Sequence, residues 1–226
     1  MMSRDSVLPR IKICGITQTE DALLAALLGA WAIGFVFYEK SPRAISPENV
    51  RKVITEVLSH PEFEKLRTVG VFVNAPIEVI VRQVCVSKLN TVQLHGDESV
   101  EFCRELRKAL VPHVADLQMI KAMALRDLDE LKTVATYRSC CEAVLLDTYS
   151  EVRGGTGVVG NWEWAAQASQ DAPIILAGGL NPENIRAAIK KVQPFAIDAS
   201  SALEKIPGQK SPEKVREFFR RACETL

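Results

Sequence analysis

The chain has no excess of either charge: 28 Lys and Arg residues stand against 28 Asp and Glu, a formal net charge of +0. A nucleic-acid or anionic membrane-surface partner would favour a basic excess, so neither is expected. A small anion remains within reach, because backbone N–H groups at loops and helix starts bind one without net charge. No run of about 18 apolar residues, the minimum for a membrane-crossing helix, occurs anywhere. Met1–Pro9 is short and polar and lacks the apolar core of a secretory signal, so it is expected to be a flexible extension. The three histidines, His60, His95 and His113, lie far apart in sequence, and no pair of the six cysteines has zinc-type spacing. No metal site is expected from them. A dinucleotide loop is missing too: the first apolar strand runs into Cys14-Gly15-Ile16-Thr17, not a glycine fingerprint. These absences leave a cytoplasmic protein whose cysteines, Cys14, Cys85, Cys103, Cys140, Cys141 and Cys223, stay reduced.

What the sequence does have is alternation. Short apolar runs recur at Ile11–Cys14, Ala32–Phe37, Thr68–Val73, Thr91–Leu94, Gln118–Ala122, Ala143–Leu146, Ile174–Ala177 and Phe195–Asp198. Most are dense in Val, Ile, Leu and Phe and free of Pro, as strands buried on both faces must be. Between them lie amphipathic helical segments with legible starts. Thr17 with Glu20 forms a capping-box pattern, and Gly29 closes that helix. Ser46-Pro47-Glu48, Asn181-Pro182-Glu183 and Ser211-Pro212-Glu213 each put Pro at a first helical position, and Asp97 or Ser99 opens the helix through Phe102 and Leu106. Eight strands, each followed by a helix and with no linker-like break, predict one α/β domain over residues 10–226. A closed (β/α)8 barrel fits better than an open doubly wound sheet, which normally has fewer strands.

In such a barrel the active site lies at the C-terminal ends of the strands. The first strand ends on Cys14, the fourth runs into His95, the sixth into Asp147 and the eighth into Asp198. Ionisable residues at the ends of apolar strands are unusual enough to mark a site. Period-two alternation puts Lys12 on the side of Cys14 and Gln93 on the side of His95. Glycine-bearing or Ser-bearing loops follow the last three strands: Arg153-Gly154-Gly155-Thr156-Gly157, then Gly178-Gly179-Leu180-Asn181-Pro182, then Ser200-Ser201. Phosphate sites recur after strands seven and eight of this architecture, so Gly155, Gly157, Gly178, Gly179, Ser200 and Ser201 are the expected phosphate cradle. The plain alternatives are a buried hydrophobic thiol for Cys14, a cap for Asp147, a solvated charge for Arg43 and a hydrogen-bonded support for His95. Asp198 has two readings, a contact to sugar hydroxyls or a partner for Lys12. Lys121 is expected to balance charge in the barrel, and Trp162 and Trp164 to pack the sixth helix against it.

Taken in order, these segments resemble one family. Lys12-Ile13-Cys14-Gly15-Ile16-Thr17 resembles the opening signature of the phosphoribosylanthranilate isomerases of tryptophan biosynthesis. Gly34-Phe35-Val36-Phe37 through Ser41-Pro42-Arg43, Val69-Gly70-Val71-Phe72-Val73-Asn74 and Val92-Gln93-Leu94-His95-Gly96-Asp97-Glu98 continue it. So do Leu146-Asp147-Thr148, Gly154-Gly155-Thr156-Gly157, Leu176-Ala177-Gly178-Gly179-Leu180-Asn181-Pro182 and Asp198-Ala199-Ser200-Ser201. The resemblance implies an Amadori rearrangement of a phosphorylated sugar amine without a cofactor, with Cys14 as general base and Asp147 as general acid. It also implies that Arg43 holds the anthranilate carboxylate; from its strand-end position His95 is expected to have a secondary role near the substrate. Lys12, or a helix terminus, is the expected stabiliser of the Cys14 thiolate, and burial is expected to raise the Asp147 pKa. The chain departs from the family at Gly160-Asn161-Trp162 and at Ala199 and Ala202, which bear on the phosphate end. Another phosphosugar barrel enzyme and a non-catalytic phosphate-ligand binder are the alternatives, and the chain is expected to be a monomer or homodimer.

Overall fold

In the computed structural model, which describes residues 9–124, 128–147 and 162–224, the apolar runs pair in sequence order into a closed barrel of parallel strands. The strands are β1 (Arg10–Cys14), β2 (Ala32–Val36), β3 (Arg67–Phe72), β4 (Thr91–Leu94), β5 (Gln118–Ala124), β6 (Ala143–Asp147), β7 (Ile174–Ala177) and β8 (Ala196–Ala199). Closure is made where β1 pairs with β8, with Lys12 beside Asp198 in the register. The helices between them are α1 (Thr19–Leu27), α2 (Pro47–Val57), α3 (Ile77–Ser87), α4 (Val100–Leu110), α5 (Leu128–Val134), α6 (Trp162–Asp171), α7 (Ile185–Val192) and α8 (Pro212–Cys223). A small antiparallel hairpin, β9 (Glu204–Ile206) with β10 (Gln209–Lys210), stands between β8 and α8. The sequence reading did not foresee it.

Strand alternation sorts the residues into two cores. Ile11, Ile13, Val92, Leu94, Val144, Leu146 and Ile197 point outwards and pack under the helices. Val69, Ile120, Ala122, Ala143, Leu145, Ile175 and Ala196 fill the barrel, floored by Trp31 and Phe195. The inward set turns polar towards the C-terminal strand ends, where Lys12, Gln93 and Asp198 are buried. A dry apolar plug thus lies beneath a polar floor.

The helix starts bear out two of the three proline caps. Ser46 accepts from Asn49 N–H and Ser211 from Lys214 N–H, each with Pro at the first position. Ser99, not Asp97, caps α4 through Phe102 N–H. Two expectations are corrected. Thr17 does not cap α1, which begins after Gln18; its hydroxyl donates instead to the Gly208 carbonyl on the β9–β10 turn. Pro182 sits in a turn and α7 starts only at Ile185, because Asn181 Oδ1 accepts from both Glu183 N–H and Asn184 N–H and holds a separate turn.

Lys121 belongs to the outer face of β5, between inward-pointing Ile120 and Ala122. Its ammonium donates to the Gly96 carbonyl at 2.6 Å and to Glu98 at 3.2 Å. Glu98 in turn accepts from the backbone N–H groups of Asn74 and Gly96. It therefore ties the ends of β3 and β4 together behind the strand-four loop, and Lys121 balances charge as expected, on the outer side of its strand. Removing one partner of such a pair leaves a buried charge unmatched, at about 3–5 kcal/mol. Glu98→Ala should lose that much in urea unfolding; a loss below about 1 kcal/mol would show that the pair is solvated.

Candidate active site

Cys14 ends β1 at the barrel mouth, and its position depends on Gly34 beside it on β2. A Cβ at Gly34 would come within 2.9 Å of Cys14 Sγ and 3.3 Å of Lys12 Cε, so only glycine leaves room for both side chains. Lys12 is 0 % exposed, and its Nζ donates to Asp198 Oδ1 at 3.0 Å. Burial pushes the Lys12 ammonium down, but Asp198 and Cys14 outweigh it and hold the pKa above the ordinary lysine value. Burial is also the largest influence on Cys14 and raises its thiol pKa, with Lys12 pulling only partly the other way. Lys12 therefore acts on Cys14 in the expected direction, but the resting group is a thiol.

Asp147 ends β6, also at the mouth. Burial raises its carboxyl above the usual range, Asp198 adds to the rise, and His95 partly opposes it. The protein around the mouth desolvates the His95 ring, although the residue keeps an exposed edge, and holds its pKa low, which keeps the imidazole neutral at neutral pH. Its Nδ1 lies 3.1 Å from Gln93 Nε2. The mouth thus combines a carboxyl inclined to stay protonated, a neutral imidazole and a thiol next to an ammonium.

These groups share one cavity of about 370 Å³, within the usual size of a small-ligand site. Cys14, Arg43, His95, Asp147, Gly178, Gly179, Asp198, Ser200 and Ser201 all line it. Asp198 faces this cavity while paired with Lys12, so the structure combines the two roles weighed for it. Gly155 and Gly157 lie outside the described residues, as do Thr148, Gly160 and Asn161. The Gly178-Gly179 turn is anchored by its carbonyl: Asn181 and Asn184 side-chain amides both donate to the Gly179 oxygen. Ser200 is fixed by donating its hydroxyl to the Cys14 carbonyl at 3.0 Å, which joins the ends of β1 and β8.

Arg43 is more committed than the sequence suggests. Its Nε and Nη2 donate to the two oxygens of Glu204 at 2.8 and 2.7 Å, a forked pair with geometric specificity. Among the described residues its Nη1 makes no hydrogen bond. Glu204 also accepts from Lys210 Nζ at 2.9 Å, and Lys210 Nζ reaches the Ser200 carbonyl. Gly15, with φ +76°, lets this cluster approach: a Cβ there would meet Arg43 Cδ at 2.6 Å and Ser200 Oγ at 3.0 Å. Sequence reasoning missed Glu204 and Lys210. The signal was the Pro207-Gly208 pair between them, a turn marker that announces the hairpin.

Comparison with known proteins agrees with this geometry. Residues 11–221 match the family model described as N-(5'-phosphoribosyl)anthranilate (PRA) isomerase. The chain belongs to the PRA isomerase family. It is 45% identical over 214 residues to the N-(5'-phosphoribosyl)anthranilate isomerase of Geobacter metallireducens, covering 94% of this chain and 98% of that one. The crystal structure of the phosphoribosyl anthranilate isomerase of Thermotoga maritima superposes with a TM-score of 0.83 at 39% identity, covering 95% of this chain and 98% of the other. A further PRA isomerase structure, at 38% identity and a TM-score of 0.80 over 95% of this chain and 98% of that one, is a complex with reduced 1-(o-carboxyphenylamino)-1-deoxyribulose 5-phosphate.

Glu204 carries a pH signature. Burial alone would raise its carboxyl, but hydrogen bonds from Arg43 and Lys210 outweigh burial and lower it. A lowered folded pKa gives stability that is complete above the unfolded glutamate value of about 4.3 and disappears as pH falls through the folded value. The unfolding free-energy gap between wild type and Glu204→Gln should therefore be constant from neutrality to about pH 5 and shrink below it. A gap independent of pH down to acid unfolding would contradict this.

Proposed function

We propose that the acid–base work of this PRA isomerase is done by Cys14 and Asp147 across the barrel mouth. The reaction is the Amadori rearrangement of N-(5-phosphoribosyl)anthranilate to 1-(2-carboxyphenylamino)-1-deoxyribulose 5-phosphate, an aldose–ketose isomerisation of tryptophan biosynthesis. The observation that carries the assignment is a half-buried carboxyl with a raised pKa sharing one cavity with a thiol beside an ammonium.

Asp147, protonated, gives its proton to the furanose ring oxygen, and the C1′–O bond breaks as the amine nitrogen supplies electrons to form an iminium. The iminium acidifies the C2′–H bond and acts as the electron sink, so the substrate supplies what a cofactor would elsewhere. The Cys14 thiolate takes that proton. The electron pair forms the C1′–C2′ double bond and neutralises the nitrogen, and the resulting enolamine becomes the ketone by gaining a proton at C1′ and losing the proton of its C2′ hydroxyl. Lys12 favours the thiolate because a buried ammonium interacts strongly at low local dielectric. Arg43, its plane fixed by Glu204, offers Nη1 to the anthranilate carboxylate. His95, neutral, is a hydrogen-bonding neighbour of the sugar, and Asp198 reaches its hydroxyls with the oxygen not used by Lys12. The phosphate sits at the Gly178-Gly179 and Ser200-Ser201 turns, where backbone N–H groups recognise an anion.

The chain works as a cytoplasmic monomer or homodimer. The Thermotoga maritima relative, whose monomeric variants share 37% identity and a TM-score of 0.75 with this chain over 95% of its length, is described as dimeric. None of the helices among the described residues is long and apolar enough to cross a membrane.

Two measurements test the assignment. Freshly generated PRA should lose its fluorescence with wild type much faster than by spontaneous decay. Cys14→Ser and Asp147→Asn should each lower kcat by about 10²–10⁴-fold, the usual contribution of a general acid or base. Near-wild-type turnover in either variant would remove that residue from the mechanism. The pH profile of kcat/KM reports the free enzyme. Here the productive form pairs a protonated Asp147 with an ionised Cys14, while both pKa values are raised. Activity should fall in acid with a midpoint above the ordinary aspartate value of about 3.9, and in alkali with a midpoint above the ordinary thiol value of about 8.5. Limbs at or below those values would contradict the raised pair.

A further inference from the structure

Away from the catalytic cavity, three thiols that the isomerisation does not use come together. Cys103 on α4 is fully buried, and Cys140 and Cys141, in the turn entering β6, are 3 % and 7 % exposed. All three Sγ atoms lie within 4.8 Å of one another, and those of Cys140 and Cys141 are 4.0 Å apart. That spacing separates two fates of clustered thiols. A disulfide requires sulfurs about 2.05 Å apart. A cation at the usual thiolate distance of about 2.3 Å holds a trigonal set of sulfurs roughly 4 Å apart. The cluster stands at the second spacing.

We propose that Cys103, Cys140 and Cys141 form a three-sulfur site for a soft cation of the Cu(I) type, which on binding ties α4 to the start of β6. An all-sulfur set selects soft ions over the oxygen-seeking Mg²⁺ and Ca²⁺. Structural zinc takes four ligands, and among the described residues no fourth His, Cys, Asp or Glu completes the group. Cu(I) is content with fewer ligands. The backbone holds the pair ready: the Tyr137 carbonyl accepts from Cys140 N–H at 3.0 Å, Cys141 N–H at 2.8 Å and Cys140 Sγ at 3.3 Å. Arg107 donates through Nε and Nη2 to the Cys140 carbonyl, so α4 is already docked on this turn. Each thiol that takes the cation releases its proton to solvent.

The test uses the full chain carrying Cys85→Ser and Cys223→Ser, which removes the two exposed thiols. Cu(I) is offered anaerobically from a chromophoric Cu(I) chelator. One equivalent should transfer, with sulfur-to-copper charge-transfer absorption and a higher Tm. Cys103→Ala and Cys141→Ala in that background should each weaken binding by more than about 100-fold, beyond the loss expected for an outer-shell partner. Cys103→Ser, closer in volume and still without a soft donor, should do the same, with circular dichroism confirming the fold. No transfer, or transfer with unchanged affinity in a folded Cys103 variant (copper then residing at Cys14), overturns the proposal.

Discussion

A single buried ammonium organises the mouth of this barrel. Lys12 points inward from β1, has no access to water, and is neutralised by Asp198 across the seam that closes β1 on β8. A charge there is tolerable only because it is paired, since an unpaired buried ion costs several kcal/mol. The pair therefore fixes the rotamers of both side chains. Cys14 stands one inward position further along, so the thiol has a cation on one side and the cavity on the other. Gly34 supplies the room for this, since a Cβ there would crowd Sγ at 2.9 Å. The apolar plug of Val69, Ile120, Leu145 and Ile175 beneath keeps water from relieving the charge.

Around that centre, two carboxyls are driven in opposite directions by their neighbours. Asp147 has burial and another carboxylate against its charge, with only His95 in favour, and is raised. Glu204 is also buried but is gripped by Arg43 and Lys210, and is lowered. One carboxyl is thus suited to giving a proton, and the other to holding a guanidinium in a fixed plane. This division follows from which loops meet at the mouth. The β9–β10 hairpin brings Glu204 to Arg43, while β6 leaves Asp147 facing the imidazole on the β4 end.

Much of this was legible in the sequence because alternation and strand count determine a barrel, and a barrel determines where the strand ends converge. Cys14, His95, Asp147 and Asp198 were found that way, within one residue of the observed strand ends. Local capping was less legible. Thr17 has the sequence of a cap, yet its hydroxyl is taken by the Gly208 carbonyl, a partner 191 residues away. Likewise Asn181-Pro182 looks like a helix start but builds a turn first, because Asn181 has two backbone donors within reach. The Arg43–Glu204–Lys210 cluster and the three-thiol group needed three dimensions, because Arg43 in the one and Cys103 in the other are distant in sequence from their partners and only folding brings them together. Burial likewise decided the Cys14 pKa against the proximity of Lys12, a balance no residue pattern displays.

The central claim, that the Lys12 charge works against burial to favour the Cys14 thiolate, is tested most directly by titrating Cys14 itself. Alkylation of Cys14 by iodoacetamide, followed by peptide mass spectrometry across pH, gives the midpoint of its ionisation. Lys12→Met should move that midpoint to higher pH. Lys12→Met with Asp198→Asn, which leaves no orphan charge, should move it in the same direction, because Lys12 acts on the thiol more strongly than Asp198 does. A midpoint that stays put or falls in the double variant would contradict the account.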